Sequence, residues 1–136
     1  MNVRGVMDSG ASESVAPPDM CPTYAVVDSP GSRAGQHYVS ASKDKLPNLG
    51  QQILKVVLED GQDSNVKYQI ADISRPLNSV SEICDSGNQV IFGRSGGMIR
   101  NVSTGKETHF TRENGVYILE FWVKPSSEGF QRQGEE

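Results

Sequence analysis

The chain has 136 residues, 35% of them apolar, with 14 Gly and 7 Pro, which is the length of about one domain with enough hydrophobic material for a core. Thirteen Lys and Arg against seventeen Asp and Glu leave a net charge of −4, so nothing draws the chain to a phosphate backbone; a peptide or protein partner fits better than nucleic acid. Cys21 and Cys84 stand far apart with neither His37 nor His109 nearby, which argues against a metal site, and no run of about 18 apolar residues encodes a membrane span. There is no apolar segment near Met1 of the kind that directs secretion, so a reducing, cytoplasmic setting with free thiols is expected.

In chain order, residues 2–7 predict a strand that delivers Asp8 onto the small-residue turn Asp8-Ser9-Gly10-Ala11-Ser12. Residues 16–35, with four prolines and several Ser and Gly, read as a long irregular loop broken only at 24–27. The apolar run 53–58 ends in Glu59-Asp60-Gly61-Gln62, and Val66, Tyr68 and Ile70 then alternate with Lys67 and Gln69, which predicts a hairpin. One helix of two turns at most is expected near 79–86, where Ser79 and Glu82 have capping-box spacing and Gly87 suits a helix stop. A second hairpin joins 89–92 to 98–100 through Gly93 and Gly96-Gly97, and a third joins 108–112 to 116–123 through Asn114-Gly115, residues that tolerate positive φ. Residues 125–136 are polar with a single aromatic and read as a disordered linker or tail, leaving 1–124 as the folded domain.

Asp-Ser-Gly by itself is a common solvated turn, and Asp85-Ser86-Gly87 is read that way, as a helix C-terminus. Around Asp8 the pattern is longer. Val6 and Met7 lead in and Ala11-Ser12 follow, as a carboxylate that must stay open to water requires. Gly93-Arg94-Ser95-Gly96-Gly97 lacks the Gly-Lys-Ser/Thr ending of a phosphate loop and is read as a hairpin turn. Asn101-Val102-Ser103 is read as a strand end or turn, His37 and His109 as strand-surface residues, and Phe121 and Trp122 as core or dimer contacts.

These residues resemble the retropepsin-like aspartic proteases, in particular those of copia-type retrotransposon polyproteins, in which a hydrophobic lead enters Asp-Ser-Gly-Ala-Ser as at Val6 to Ser12. Further matches follow in order: His37-Tyr38-Val39-Ser40-Ala41-Ser42 through Leu46-Pro47-Asn48-Leu49-Gly50 for the flap-bearing hairpin, Arg75-Pro76-Leu77-Asn78-Ser79-Val80-Ser81-Glu82 leading into the late helix, 87–92 for the next strand and 115–119 for a closing one. The resemblance implies an all-β acid-protease fold, a half-barrel of hairpins with one short helix. It also implies missing N-terminal strands, since only seven residues precede Asp8 where the family has one or two more strands.

By the same resemblance Asp8 is the catalytic residue of a homodimeric endopeptidase, because one short chain with one such motif supplies one of the two carboxylates. Ser9 would brace the loops across the dimer, Gly10 permit close approach, Ala11 leave room beside the carboxylates, and Ser12 complete the loop. The flap tip is expected at Leu46, Pro47, Asn48, Leu49 and Gly50, and support for the catalytic loop at Leu77, Asn78, Ser79 and Val80, where Asn78-Ser79 replace the Gly-Arg of many retropepsins. The implied substrate is a peptide or Gag-Pol-type polyprotein, processed in the cytoplasm or inside virus-like particles, with no cofactor, no metal and no membrane or direct nucleic-acid partner. Two other readings stay open: a truncated, inactive protease-shaped binding module or relic, and an unrelated β-sandwich binding module.

Overall fold

The computed structural model describes residues 1–40 and 42–126. The class is all-β, as the alternating segments imply: β1 (Asn2–Asp8), β2 (Val15–Ala16), α1 (Pro30–Arg33), β3 (His37–Val39), β4 (Lys45–Pro47), β5 (Gly50–Val57), β6 (Asp63–Ile70), β7 (Leu77–Ser79), α2 (Val80–Asp85), β8 (Asn88–Phe92), β9 (Gly96–Asn101), β10 (Glu107–Glu113) and β11 (Val116–Val123). All three expected hairpins form, with registers running through Leu54↔Val66, Val90↔Ile99 and Thr111↔Ile118. Asn114 and Gly115 both take positive φ, 53° and 79°, which turns the chain tightly enough to lay β11 back on β10.

Nine strands make one sheet in the order β1-β7-β2-β6-β5-β11-β10-β9-β8, and β1 also pairs with β11. That extra pairing closes β1, β7, β2, β6, β5 and β11 into a ring, from which β10, β9 and β8 extend as a flank. The ring is thus closed where a half-barrel was expected. One edge of β1 is taken by β11, from Asn2↔Trp122 to Val6↔Ile118. The amino group of Met1 donates to the Val123 carbonyl at 3.1 Å and extends the same ladder. The match works because both strands alternate: Val3 and Met7 turn inward with Leu119, Phe121 and Val123, to meet Leu54, Val56, Tyr68 and Ile70 from β5 and β6. Each large side chain so buried contributes about 1.5–3 kcal/mol.

The same period of two separates Phe121 from Trp122. Phe121 is core, whereas Trp122 faces outward and is 54% exposed. The flank has a small cluster of its own, in which Phe92, Phe110 and Tyr117 meet edge to face with ring centroids 4.8–5.9 Å apart. Gly97 makes this possible, since a Cβ there would stand 2.5 Å from Phe110 Cζ and collide with the Ile91 carbonyl.

Within the stretch expected to be irregular, α1 forms because Ser29 and Ser32 make a reciprocal capping box and Pro30 takes the first turn. The expected late helix is α2, stopped by Gly87 at φ 90°. Cys21 is buried and Cys84 exposed, both as free thiols. Among the described residues no helix is long and apolar enough to cross a membrane. Apart from Pro125 and Ser126, the expected linker lies outside the described residues.

The β5–β6 turn is tied to β10 by charge. His109 Nδ1 lies 2.6 Å from Glu59 Oε1, its backbone N–H donates to Glu59 Oε2 at 3.0 Å, and Lys106 pairs with Asp60 at 3.6 Å. The hydrogen bond and charge of Glu59 raise the His109 pKa above its ordinary 6.5. Partial burial pushes Glu59 upward, but the hydrogen bonds from His109 outweigh it and hold the carboxyl below its ordinary 4.5. A raised histidine stabilises the fold below its unfolded pKa and loses that contribution as pH rises through the folded one; the lowered carboxyl loses its share as pH falls. The melting temperature of the wild type minus that of His109→Gln is therefore expected to peak between pH 4.5 and 6.5 and to shrink on either side. Gly97→Ala is expected to lower stability by about 1–3 kcal/mol in urea unfolding, because the Phe110 ring and the β8 backbone must both give way.

Candidate functional site

Asp8 closes β1, and the parallel pairing Val6↔Leu77, Met7↔Asn78, Asp8↔Ser79 sets it level with the end of β7. Met7 and Asn78 point into the barrel, so Val6, Asp8, Leu77 and Ser79 share its outer face. The Asp8 side chain is half-buried, and Oδ1 accepts the Gly10 N–H at 2.8 Å. One carboxylate oxygen is thus held by its own loop.

Residues 9–14 return past the start of α2 and are clamped there by side chains. Ser79 Oγ donates to the Ala11 carbonyl at 2.7 Å and accepts the Glu82 N–H at 3.2 Å, while the Ser79 N–H donates to Ser14 Oγ at 2.9 Å. Glu82 does not complete the expected capping box, because its carboxylate accepts the Ser14 N–H instead of reaching back to Ser79. Half the cap is spent on holding the loop. Ser9 and Ser12 are exposed and Ala11 is half-buried. A Cβ on Gly10 would lie 3.4 Å from Asp8 Oδ1, an ordinary contact, so nothing within one chain demands glycine there.

The expected supports divide. Ser79 holds the loop directly. Asn78 faces the core, where its Oδ1 accepts the Tyr68 hydroxyl, and a Cβ on Gly5 would stand 2.6 Å from its Nδ2, so glycine at position 5 makes room for the carboxamide. Val80 packs on the core from α2. Leu77 lies on the outer face between Val6 and Val15, since strand alternation sends it opposite to Asn78.

The β3–β4 hairpin pairs His37↔Pro47, Tyr38↔Leu46 and Val39↔Lys45, which puts its turn at 40–44, with the Ser40 N–H donating to the Asp44 carbonyl at 3.0 Å. The tip expected at 46–50 is corrected. Leu46 and Pro47 lie in β4, Asn48 is buried, Leu49 is exposed and Gly50 opens β5. Asn48 is the reason: its Oδ1 accepts the Gly50 N–H at 2.9 Å and its Nδ2 donates to Gln69 Oε1 at 2.9 Å, fastening this stretch to the barrel wall. Gln69 faces outward beside Val15, which in turn pairs with Leu77, so the hairpin base stands on the face that carries Asp8.

A cleft of about 600 Å³ is lined by Leu58 and Val66 of the β5–β6 hairpin, Ile83 of α2, and Ile99, Thr108 and Leu119 of the flank and barrel; Ser14 and Glu82 of the loop clamp reach its wall, but Asp8 does not. Among the described residues no His, Cys, Asp or Glu side chains gather in a group of three or more fit to hold a metal ion. Glu13, Ser14 and Glu82 are parts of the site that sequence reasoning missed. Glu82 had a signal, its capping-box spacing, but one that named the wrong partner.

Ser79→Ala removes both the bond to the Ala11 carbonyl and the α2 cap. It is expected to cost about 2–3 kcal/mol in urea unfolding, with Ser79→Thr retaining most of the difference. Comparison with known protein families, with curated proteins and with solved structures finds no match for this chain.

Proposed function

We propose that the chain is a retropepsin-like aspartic endopeptidase that works as a homodimer on peptide segments of a polyprotein. The observation that carries this reading is the placing of Asp8: a half-buried carboxylate at the end of a barrel strand, on a loop clamped by Ser79 and Glu82, on the face from which the β3–β4 hairpin rises. Half-buried Val6, Leu77 and Ile118 share that face and offer apolar surface to a peptide side chain. The closed ring of strands supports the reading too, since β1 has both neighbours it needs to hold Asp8 still.

Two copies meeting at a twofold axis bring two Asp8 carboxyls together. At a few ångströms' separation they hold one proton between them and titrate as a pair. The ionised partner takes a proton from water as the water oxygen bonds to the peptide carbonyl carbon. The protonated partner gives its proton to the carbonyl oxygen. Collapse of the tetrahedral adduct breaks the C–N bond: the dyad passes a proton to the leaving amine and takes one back from a hydroxyl of the adduct, which becomes the carbonyl of the product acid. The exposed Ser9 and Ser12 and the small Gly10 and Ala11 present a loop with no bulky side chain at the seam.

One observation favours a second reading, a non-catalytic protease-shaped β module: the wall of the 600 Å³ cleft takes in Ser14 and Glu82 of the loop clamp but not Asp8. The two readings separate on a polyprotein-derived peptide. The peptidase predicts cleavage best in mild acid, blocked by a transition-state-mimicking aspartic protease inhibitor, with a rate per chain that rises with protein concentration and falls about a thousandfold in Asp8→Asn. Equal cleavage by Asp8→Asn, or monomers alone in light scattering together with no cleavage, overturns it.

A further inference from the structure

Glu13 follows the clamped loop and reaches the base of the β3–β4 hairpin. Its Oε1 accepts from Gln36 Nε2 at 2.9 Å and from the Tyr38 hydroxyl at 3.3 Å. The Tyr38 oxygen in turn accepts from Asn48 Nδ2 at 3.2 Å, the same amide that donates to Gln69 Oε1. The Gln69 backbone N–H donates to the Ser14 carbonyl at 2.9 Å, next to Glu13, so the connections form a circuit. It joins three things: the return of the Asp8 loop, the first strand of the hairpin and the barrel wall.

Among the described residues, little beyond this circuit supports the hairpin. Val39 is 66% exposed, and the bonds at the turn run among Ser40, Ser42, Lys43 and Asp44 themselves. Tyr38 is half-buried at the point where the hairpin leaves the barrel. Burial, then the charge of Glu13 and the hydrogen bond to it, push the Tyr38 phenol well above its ordinary range, so it keeps its proton and remains a donor at any pH suited to acid proteolysis. A neutral donor on a carboxylate is a charge-assisted bond, stronger than the neutral contacts around it.

We propose that Glu13 and Tyr38 are positioning residues for the reaction assigned to Asp8: their hydrogen bond sets the β3–β4 hairpin over the catalytic loop and so encloses the peptide in one pose. This rests on the aspartic endopeptidase reading. A hairpin attached to the loop that carries Asp8 moves with that loop, so the distance between the covering strand and the carboxylate stays constant as the peptide enters. Neither residue touches the reacting atoms, so the titration of the Asp8 pair is left alone.

Tyr38→Phe removes the donor oxygen and keeps the ring, Glu13→Ala removes the acceptor, and Glu13→Gln keeps an acceptor oxygen. The first measurement is amide hydrogen exchange, made on the full chain carrying Asp8→Asn so that self-cleavage does not interfere. The β3 and β4 amides are expected to exchange about tenfold faster with Tyr38→Phe or Glu13→Ala and close to wild type with Glu13→Gln, with β9 to β11 unchanged. Unchanged exchange in the hairpin overturns the proposal, and so does an equal rise in every strand, which marks a merely structural loss. The second measurement is peptide cleavage with Asp8 intact. Tyr38→Phe is expected to raise KM about tenfold with a much smaller change in kcat and the same pH profile. An unsubstituted chain that cleaves nothing sinks the peptidase reading, whereas a cleaving chain whose KM ignores Tyr38→Phe sinks this proposal alone.

Discussion

The structure depends on β1 having a neighbour on each edge. On one side β7 runs parallel to it and sets Ser79 beside Asp8; on the other β11 runs antiparallel and closes the ring. A strand with one free edge would leave a row of unpaired N–H and C=O groups next to the carboxylate and would be loosely placed. With both edges paired, the backbone of Val6 and Met7 is held along its length and Asp8 leaves it at a set point. The core follows from the same pairing, since the inward residues of β11 and β1 fill the barrel only when they face each other in this register.

On that frame the site is built from short polar side chains. Ser79 and Glu82 do two jobs each, starting α2 and gripping the return of the loop, while Glu13, Tyr38, Asn48 and Gln69 connect the loop to the hairpin. The Asn48–Gln69 bond is buried, and without it two side-chain amides at the barrel wall would each lose a partner. The arrangement therefore stabilises the fold and aligns the carboxylate by the same contacts. Within it the neighbours Asn78 and Ser79 part company: Asn78 is absorbed into the core through Tyr68, and Ser79 serves the loop.

Much of this was legible in the residues, because alternation and turn chemistry act locally. Val66, Tyr68 and Ile70 had to share a face, and Asn114-Gly115 had to turn, whatever surrounded them. Long-range choices were not legible. Nothing in residues 116–123 announces that their second edge will go to β1. Pro47 and Gly50 carry the composition of a hairpin tip, but the carboxamide of Asn48 finds partners on the barrel and makes this stretch an anchor. In the same way the spacing of Ser79 and Glu82 foretold a helix start, and only the fold could bring Ser14 close enough to take the glutamate.

The ladder between the two ends of the described chain has a consequence for timing. Met1 and Val123 are 122 positions apart, so β1 and β11 can meet only after the whole stretch between them has been made. Before that pairing forms, β1 has a free edge and Asp8 stands on a strand held from one side at most. The loop that carries Asp8 therefore reaches its fixed place late in folding, when β11 zips onto β1.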